Sequence, residues 1–192
     1  MEYFVVKYTG QFGFIKPWTA VRDGETFSQQ FLTPSIIAGI ERKLFPELLK
    51  EPYAIYKIVR HRLAYAQMSA QTEQVQSRGL NVYKKTATRK TGILVRSVLL
   101  YPVLYLAFEN EKDAIGAATQ HICLCRNEDI LFPKQILKID REEFDSNKES
   151  FAGYELIFEK NEHSFLVGYN RFDEGEPMFG WLKVLGNPVK TI

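Results

Sequence analysis

Residues 3–10, YFVVKYTG, run apolar from Tyr3 to Val6, are rich in aromatic and β-branched side chains and stop at a glycine. This pattern predicts a first strand. The next segment, QFGFIKPWTAVRDGETFSQQ, holds glycines, a proline and four aromatics without a period, and reads as a long connection. A helical period follows. In FLTPSIIAGIERKLF, residues Ile36, Ile37, Ile40 and Leu44 form one apolar stripe, while Glu41, Arg42 and Lys43 fall outside it. Thr33 at the cap and Pro34 at the first helical position start a helix that Pro46 ends. Gly39 sits inside it, at a cost of about 1 kcal/mol relative to alanine. The expectation is that its missing side chain lets the helix approach a sheet closely.

Residues 53–67 alternate and predict a second strand. Residues 68–90, MSAQTEQVQSRGLNVYKKTATRK, are polar and short of aliphatics. Residues 91–109 form a third strand region, with Pro102 arguing for an edge or a bulge. In NEKDAIGAATQ, Asn110 can cap a short helix with acids in its first turn, and HICLC follows as a fourth strand. Strand, helix, strand, strand, helix, strand is the order of the ferredoxin-like fold and of RNA-recognition modules. The class is α+β: a core over residues 1–126, with a hairpin or "thumb" at about 68–92, and a small β-rich extension over 127–192. In that extension YELIFEK and HSFLVGYN suggest a hairpin turning at Asn161, and EPMFGWLKVLG a last extended piece.

Composition narrows the function classes. The chain has 192 residues, 45% of them hydrophobic, enough for a sizeable core, and its net charge of +2 gives no global nucleic-acid signal. Cys123 and Cys125 lack partners at zinc-like spacing, so no metal is expected and the thiols read as reduced, in an intracellular protein. The start lacks signal-peptide character, and no apolar run reaches the roughly 20 residues of a membrane helix. A soluble, cytoplasmic protein without a membrane role is expected. His61, His121 and His163 stand in no nucleophile pattern, the carboxylates of DREEFDSNKE read as solvated, and no phosphate loop is present, so no cofactor is expected. A metal-independent ribonuclease leaves almost no motif and stays open.

Charge clusters in one place. From Arg78 to Arg96 the chain carries Arg78, Lys84, Lys85, Arg89, Lys90 and Arg96 with no acid, and Tyr83 among them. A hairpin of this kind can lay cations along phosphates, releasing counterions; it reads equally as a solvated loop. A second cluster, KIVRHR, puts Arg60 and Arg62 on one strand face and His61 on the other. Arginines beside aromatics suit single-stranded RNA, and outward charges on a strand explain them as well.

Three segments, VVKYTGQFGFIKP, FLTPSIIAGIERKLF and TGILVRSVLLYPVLYLAFE, in this order and spacing, resemble the CRISPR-associated family five. These RAMP-superfamily subunits cap the 5′ end of the guide RNA (crRNA) in type I Cascade surveillance complexes. The resemblance spans residues 3–126 and is nearest the type I-C branch. It implies a ferredoxin-like core whose thumb and sheet grip the crRNA 5′ handle, packed against the first backbone subunit and the large subunit. Contact with target DNA near the protospacer-adjacent motif stays open. The RNA-binding residues expected are Lys84, Lys85, Arg89 and Lys90 for phosphates, Arg60, Arg62 and Arg96 on the sheet side, and Tyr83 for stacking. Amides at Thr33 to Ser35 could meet a phosphate, although simple capping explains both residues. Type I-C relatives also cut precursor RNA with a tyrosine at the end of the first helix and a later lysine–histidine pair. Here Phe45, Asp113 and Ala114 stand at those places, so no catalytic residue is expected.

Overall fold

The strand predicted at residues 3–10 forms as β1 (Glu2–Thr9), and both of its faces are buried, with Val6 and Tyr8 on one and Tyr3 and Val5 on the other. The computed structural model describes residues 1–17, 24–170 and 173–189, leaving aside the side chains of 76–79 and 89–91. Short strands β2 (Phe12–Gly13) and β3 (Glu25–Phe27) precede helix α1 (Pro34–Leu44) and a 3-10 turn at Pro46–Lys50. Then come β4 (Ile58–Ala64), the long β5 (Gln67–Tyr83) and β6 (Thr86–Leu100), β7 (Val103–Phe108) and helix α2 (Glu111–Ala117). The chain continues through β8 (Ile122–Cys123), β9 (Ile130–Asp140), helix α3 (Arg141–Ser146), β10 (Gly153–Ile157), β11 (Phe165–Asn170) and β12 (Glu176–Leu185).

Eight strands form one sheet in the order β11-β12-β10-β4-β7-β1-β9-β8, with β1 antiparallel to both β7 and β9 and β4 antiparallel to β7. The class is therefore α+β, dominated by antiparallel sheet. On one face α1 and α2 bury Ile37, Ile40 and Leu44 against Val6, Leu104, Leu106 and Phe108. The Tyr8 hydroxyl donates to the Ala117 carbonyl at 2.6 Å and ties α2 to the central strand. On the other face α3 and the loop after it place Phe144 and Phe151 over Tyr3, Val5, Tyr105 and Ala107. Inside α1, Glu41 is fully buried, and its carboxylate accepts from the Tyr56, Lys57 and Ile58 amides, fixing the entry into β4.

Four expectations need correcting. The fourth long strand is β9, not HICLC, of which only Ile122 and Cys123 pair. β9 holds Pro133, which the sheet admits opposite Tyr8, beside a register shift between Lys7 and Tyr8. β9 lies beyond the boundary drawn at residue 126, yet it borders β1. The expected pairing of YELIFEK with HSFLVGYN does not form, because β12 lies between β10 and β11. Gly180 permits that: a Cβ there would come within 2.9 Å of the Ile157 carbonyl oxygen. Residues 91–109 are two strands broken at Tyr101, which takes φ +49 ahead of Pro102. Lastly, Gly39 is exposed and a Cβ there would meet nothing within 4 Å, so close packing on the sheet does not explain it.

Candidate nucleic-acid interface

The polar stretch between the second and third core strands becomes a β-hairpin. β5 and β6 pair from Gln67 opposite Leu100 out to Tyr83 opposite Thr86, with Lys84 and Lys85 closing the turn. Lys84 takes φ +52 there, a left-handed conformation that a non-glycine residue adopts only under constraint. The root is held on the other edge of β6, where β2 meets Leu99 and Leu100 and β3 meets Val95 to Ser97. Beyond that, the two strands pair with each other alone among the described residues. At about 3.3 Å per residue the eight positions from Gln76 to Tyr83 project roughly 25 Å. No Asp or Glu occurs from Gln74 to Phe108.

Lys84 and Lys85 are exposed, Tyr83 is 75% exposed, and the Lys84 ammonium lies 5.5 Å from the Tyr83 ring. Leu80, Val82 and Ile93 are exposed as well, so neither hairpin face is packed there. The Arg89 backbone pairs opposite Leu80; the side chains of Arg78, Arg89 and Lys90 lie outside those described. Arg96 sits at the root rather than the tip. It donates to the Thr26 hydroxyl at 2.8 Å, lies 3.6 Å from Glu73 and faces the Phe14 ring, which fastens β6 to β3.

Arg60 and Arg62 are not on an open sheet face. They do share one side of β4, but that side is closed by α3 and β10. Arg62 is completely buried, with Nε 3.2 Å from Glu155 and Nη2 3.0 Å from Asp145, while Nη1 donates to the Phe144 carbonyl. Arg60 makes paired bonds to Asp145 and to Glu155. Lys183 on β12 reaches Asp145 at 2.8 Å. These cations join the C-terminal strands to the core, and none of the Arg62 guanidinium is left for RNA. His61, on the opposite side, is buried and stacked on Phe158 at 5.4 Å.

This cluster sets a pH dependence. Burial lowers the His61 pKa to about 4, so between about 6.5 and 4 the unfolded chain binds a proton that the folded chain refuses. Stability therefore falls as pH drops through that window. Hydrogen bonding to Arg60 holds the Asp145 carboxyl well below the usual carboxylate range, so its contribution is complete above about pH 4 and is lost below it. Thermal melts from pH 7 to 3 are expected to show both losses; His61→Gln removes the first, and Asp145→Asn flattens the second.

The remaining sites have plain geometry. Thr33 is the N-cap by position, and its side chain makes no capping bond; Ser35 is exposed, and its carbonyl accepts from the Tyr53 hydroxyl. Phe45, at the end of α1, is buried edge-on to Phe108 with the Lys57 ammonium 4.1 Å from its ring. Asp113 is 2.9 Å from Lys57, and Ala114 is fully buried. Among the described residues no group of three or more His, Cys, Asp or Glu could hold a metal ion, and no helix is long and apolar enough to cross a membrane.

One feature at the thumb root was missed. The end of β1, the β2 turn and the start of β9 enclose a cavity of about 420 Å³, with Phe132 at its wall. The segment ILFPKQ holds the aromatic, proline and lysine of this wall, but the expectation for residues 127–192 is a β-rich extension with no strand assigned here.

No family model matches the chain, and no curated protein matches it. Among solved structures, a chain from a "CRISPR RNA-guided surveillance complex" aligns with a TM-score of 0.58 at 12% sequence identity, over 97% of this chain and 91% of that one. At that identity the likeness establishes the fold and nothing finer.

Proposed function

We propose that this chain is a non-catalytic RNA-binding subunit of a type I CRISPR surveillance complex, capping the 5′ handle of the crRNA. The observation that carries the reading is the long hairpin, free of acids beyond Glu73 and tipped by Tyr83, Lys84 and Lys85, on a fold shared with a surveillance-complex chain. A ferredoxin-like RAMP core belongs to the same reading. It is supported by the sequence β1-α1-β4-β7-α2-β9 and the spatial order β4-β7-β1-β9. The resemblance adds the partners, a Cascade backbone subunit and the large subunit, and the reading places the chain in the cytoplasm.

Catalysis is not part of this reading. Phe45 has no hydroxyl to donate, and the Lys57 ammonium beside its ring is tied to Glu47 and Asp113 at 2.9 Å. The test is incubation of the purified chain with CRISPR repeat RNA in EDTA at two salt concentrations. Salt-dependent binding without a cleavage product is expected. Specific cleavage would overturn the non-catalytic assignment, and absence of binding would overturn the RNA role itself.

A further inference from the structure

The cavity beside the thumb root has the makings of a binding subsite that neither the hairpin nor the resemblance assigns. Its volume of about 420 Å³ is lined by Thr9, Gln11, Phe12, Glu128, Phe132 and Lys134 among others. That size falls in the range of about 300–1,000 Å³ usual for small-ligand clefts. Phe132 is 54% exposed on β9, the second strand from the edge of the sheet, and the His121 ring leans on it at 6.0 Å. An aromatic held with one side against another ring and the other side open is a stacking platform.

The polar groups around it are unengaged. The side chains of Thr9, Gln11 and Lys134 make no hydrogen bond or ion pair with any described residue, whereas Glu128 is 3.4 Å from Arg126. The cavity thus offers an amide, a hydroxyl and a free ammonium around a π face, with its one carboxylate partly offset by an arginine. Its position is fixed by the hairpin. Gly10 donates to the Pro102 carbonyl at 3.1 Å, Tyr101 donates to the Gln11 carbonyl at 2.8 Å, and Phe12 pairs opposite Leu100. Gly10 itself cannot carry a side chain, since a Cβ would come within 2.5 Å of the Ile130 carbonyl oxygen.

We infer that this cavity is a nucleobase subsite: one unpaired base of a single-stranded RNA stacks on Phe132, its edge meets Gln11 and Thr9, and Lys134 takes the adjoining phosphate. The inference rests on the RNA-binding reading, since it needs a strand that leaves the hairpin and continues across its root. Of the macromolecules such a patch could receive, RNA is favoured by the Lys134 ammonium and by the adjoining hairpin, which carries no acid beyond Glu73 and whose root at Leu100 pairs with Phe12 of the cavity wall. Stacking of a base on an aromatic platform is sequence-tolerant, so the subsite contributes affinity rather than base choice.

The test uses the full chain and single-stranded RNA oligonucleotides carrying 2-aminopurine at successive positions. One position is expected to show quenched fluorescence on binding, Phe132→Ala to release that quench and weaken binding about tenfold, and Phe132→Tyr to retain both. Lys134→Ala is expected to weaken binding less and to lower the salt dependence by about one charge equivalent. Because Phe132 is exposed, unchanged melting temperatures control for folding. If Lys84→Glu/Lys85→Glu weakens binding while Phe132→Ala neither weakens it nor alters any quench, the subsite is wrong and the RNA-binding reading stands. If the wild-type chain binds no RNA, both fall. If Phe132→Ala abolishes association with a protein subunit and leaves RNA binding intact, the cavity is a protein-docking site and the inference is overturned.

Discussion

Triple replacement of Lys84, Lys85 and Arg89 by glutamate is expected to reduce affinity for single-stranded RNA at least tenfold at 0.1 M salt. Each cation placed on a phosphate of a single strand contributes about 0.7 to the slope of log affinity against log salt. Removing three should therefore lower the slope by about 2, and reversing their sign adds repulsion. Lys84 and Lys85 lie at an exposed two-residue turn, so the change does not disturb a core. Filter binding over a salt series reads both quantities. Unchanged affinity and slope would mean that the hairpin tip does not touch RNA.

The largest effect expected on stability is at Arg62. Its guanidinium is wholly buried, satisfied by Glu155, Asp145 and the Phe144 and Phe151 carbonyls, and stacked 4.0 Å over the Phe144 ring. Arg62→Ala removes the packing and leaves the Glu155 carboxylate, itself 1% exposed, with Arg60 as its remaining arginine. Breaking one side of such a pair costs about 3–5 kcal/mol. Arg62→Met/Glu155→Met, which removes both charges, should cost much less. Urea unfolding distinguishes the two: equal losses would mean that the ion pair itself contributes, rather than the penalty of leaving the buried Glu155 carboxylate to Arg60 alone.

Much of the core was legible from period and punctuation. Thr33, Pro34 and Pro46 bound α1 within two residues, and the aromatic and β-branched run of residues 3–10, closed by Gly10, located β1. What misled is physically specific. Alternation reports that Arg60 and Arg62 share a face, but not which element will cover it, and the covering helix α3 lies some 80 residues later in the acidic DREEFDSNKE segment read as solvated. Asp145 in that segment is instead the shared partner of Arg60, Arg62 and Lys183. β9 falls in a stretch expected only as a β-rich extension, and Pro133 within it is a residue that strands admit at edges or bulges, here beside the register shift of β1. The hairpin of residues 153–170 was misread because local pairing was assumed where a later strand, β12, inserts.

The candidate site divides the same way. The tip residues Tyr83, Lys84 and Lys85 are exposed as their polar, acid-free surroundings suggested, because nothing downstream is available to pack on a protruding hairpin. Arg96 has a structural role at the root that its place in a basic run did not reveal, since its partner Thr26 comes from a connection with no period. The Phe132 cavity assembles from two segments far apart in the chain, residues 9–12 and 128–134, and the register of β9 against β1 brings them together.

The most direct measurement is to purify the tagged chain from its native host at low salt and sequence the RNA that accompanies it. The proposed function predicts short RNAs sharing one defined 5′ handle, recovered together with larger protein partners. Mixed cellular RNA, or none, would contradict it.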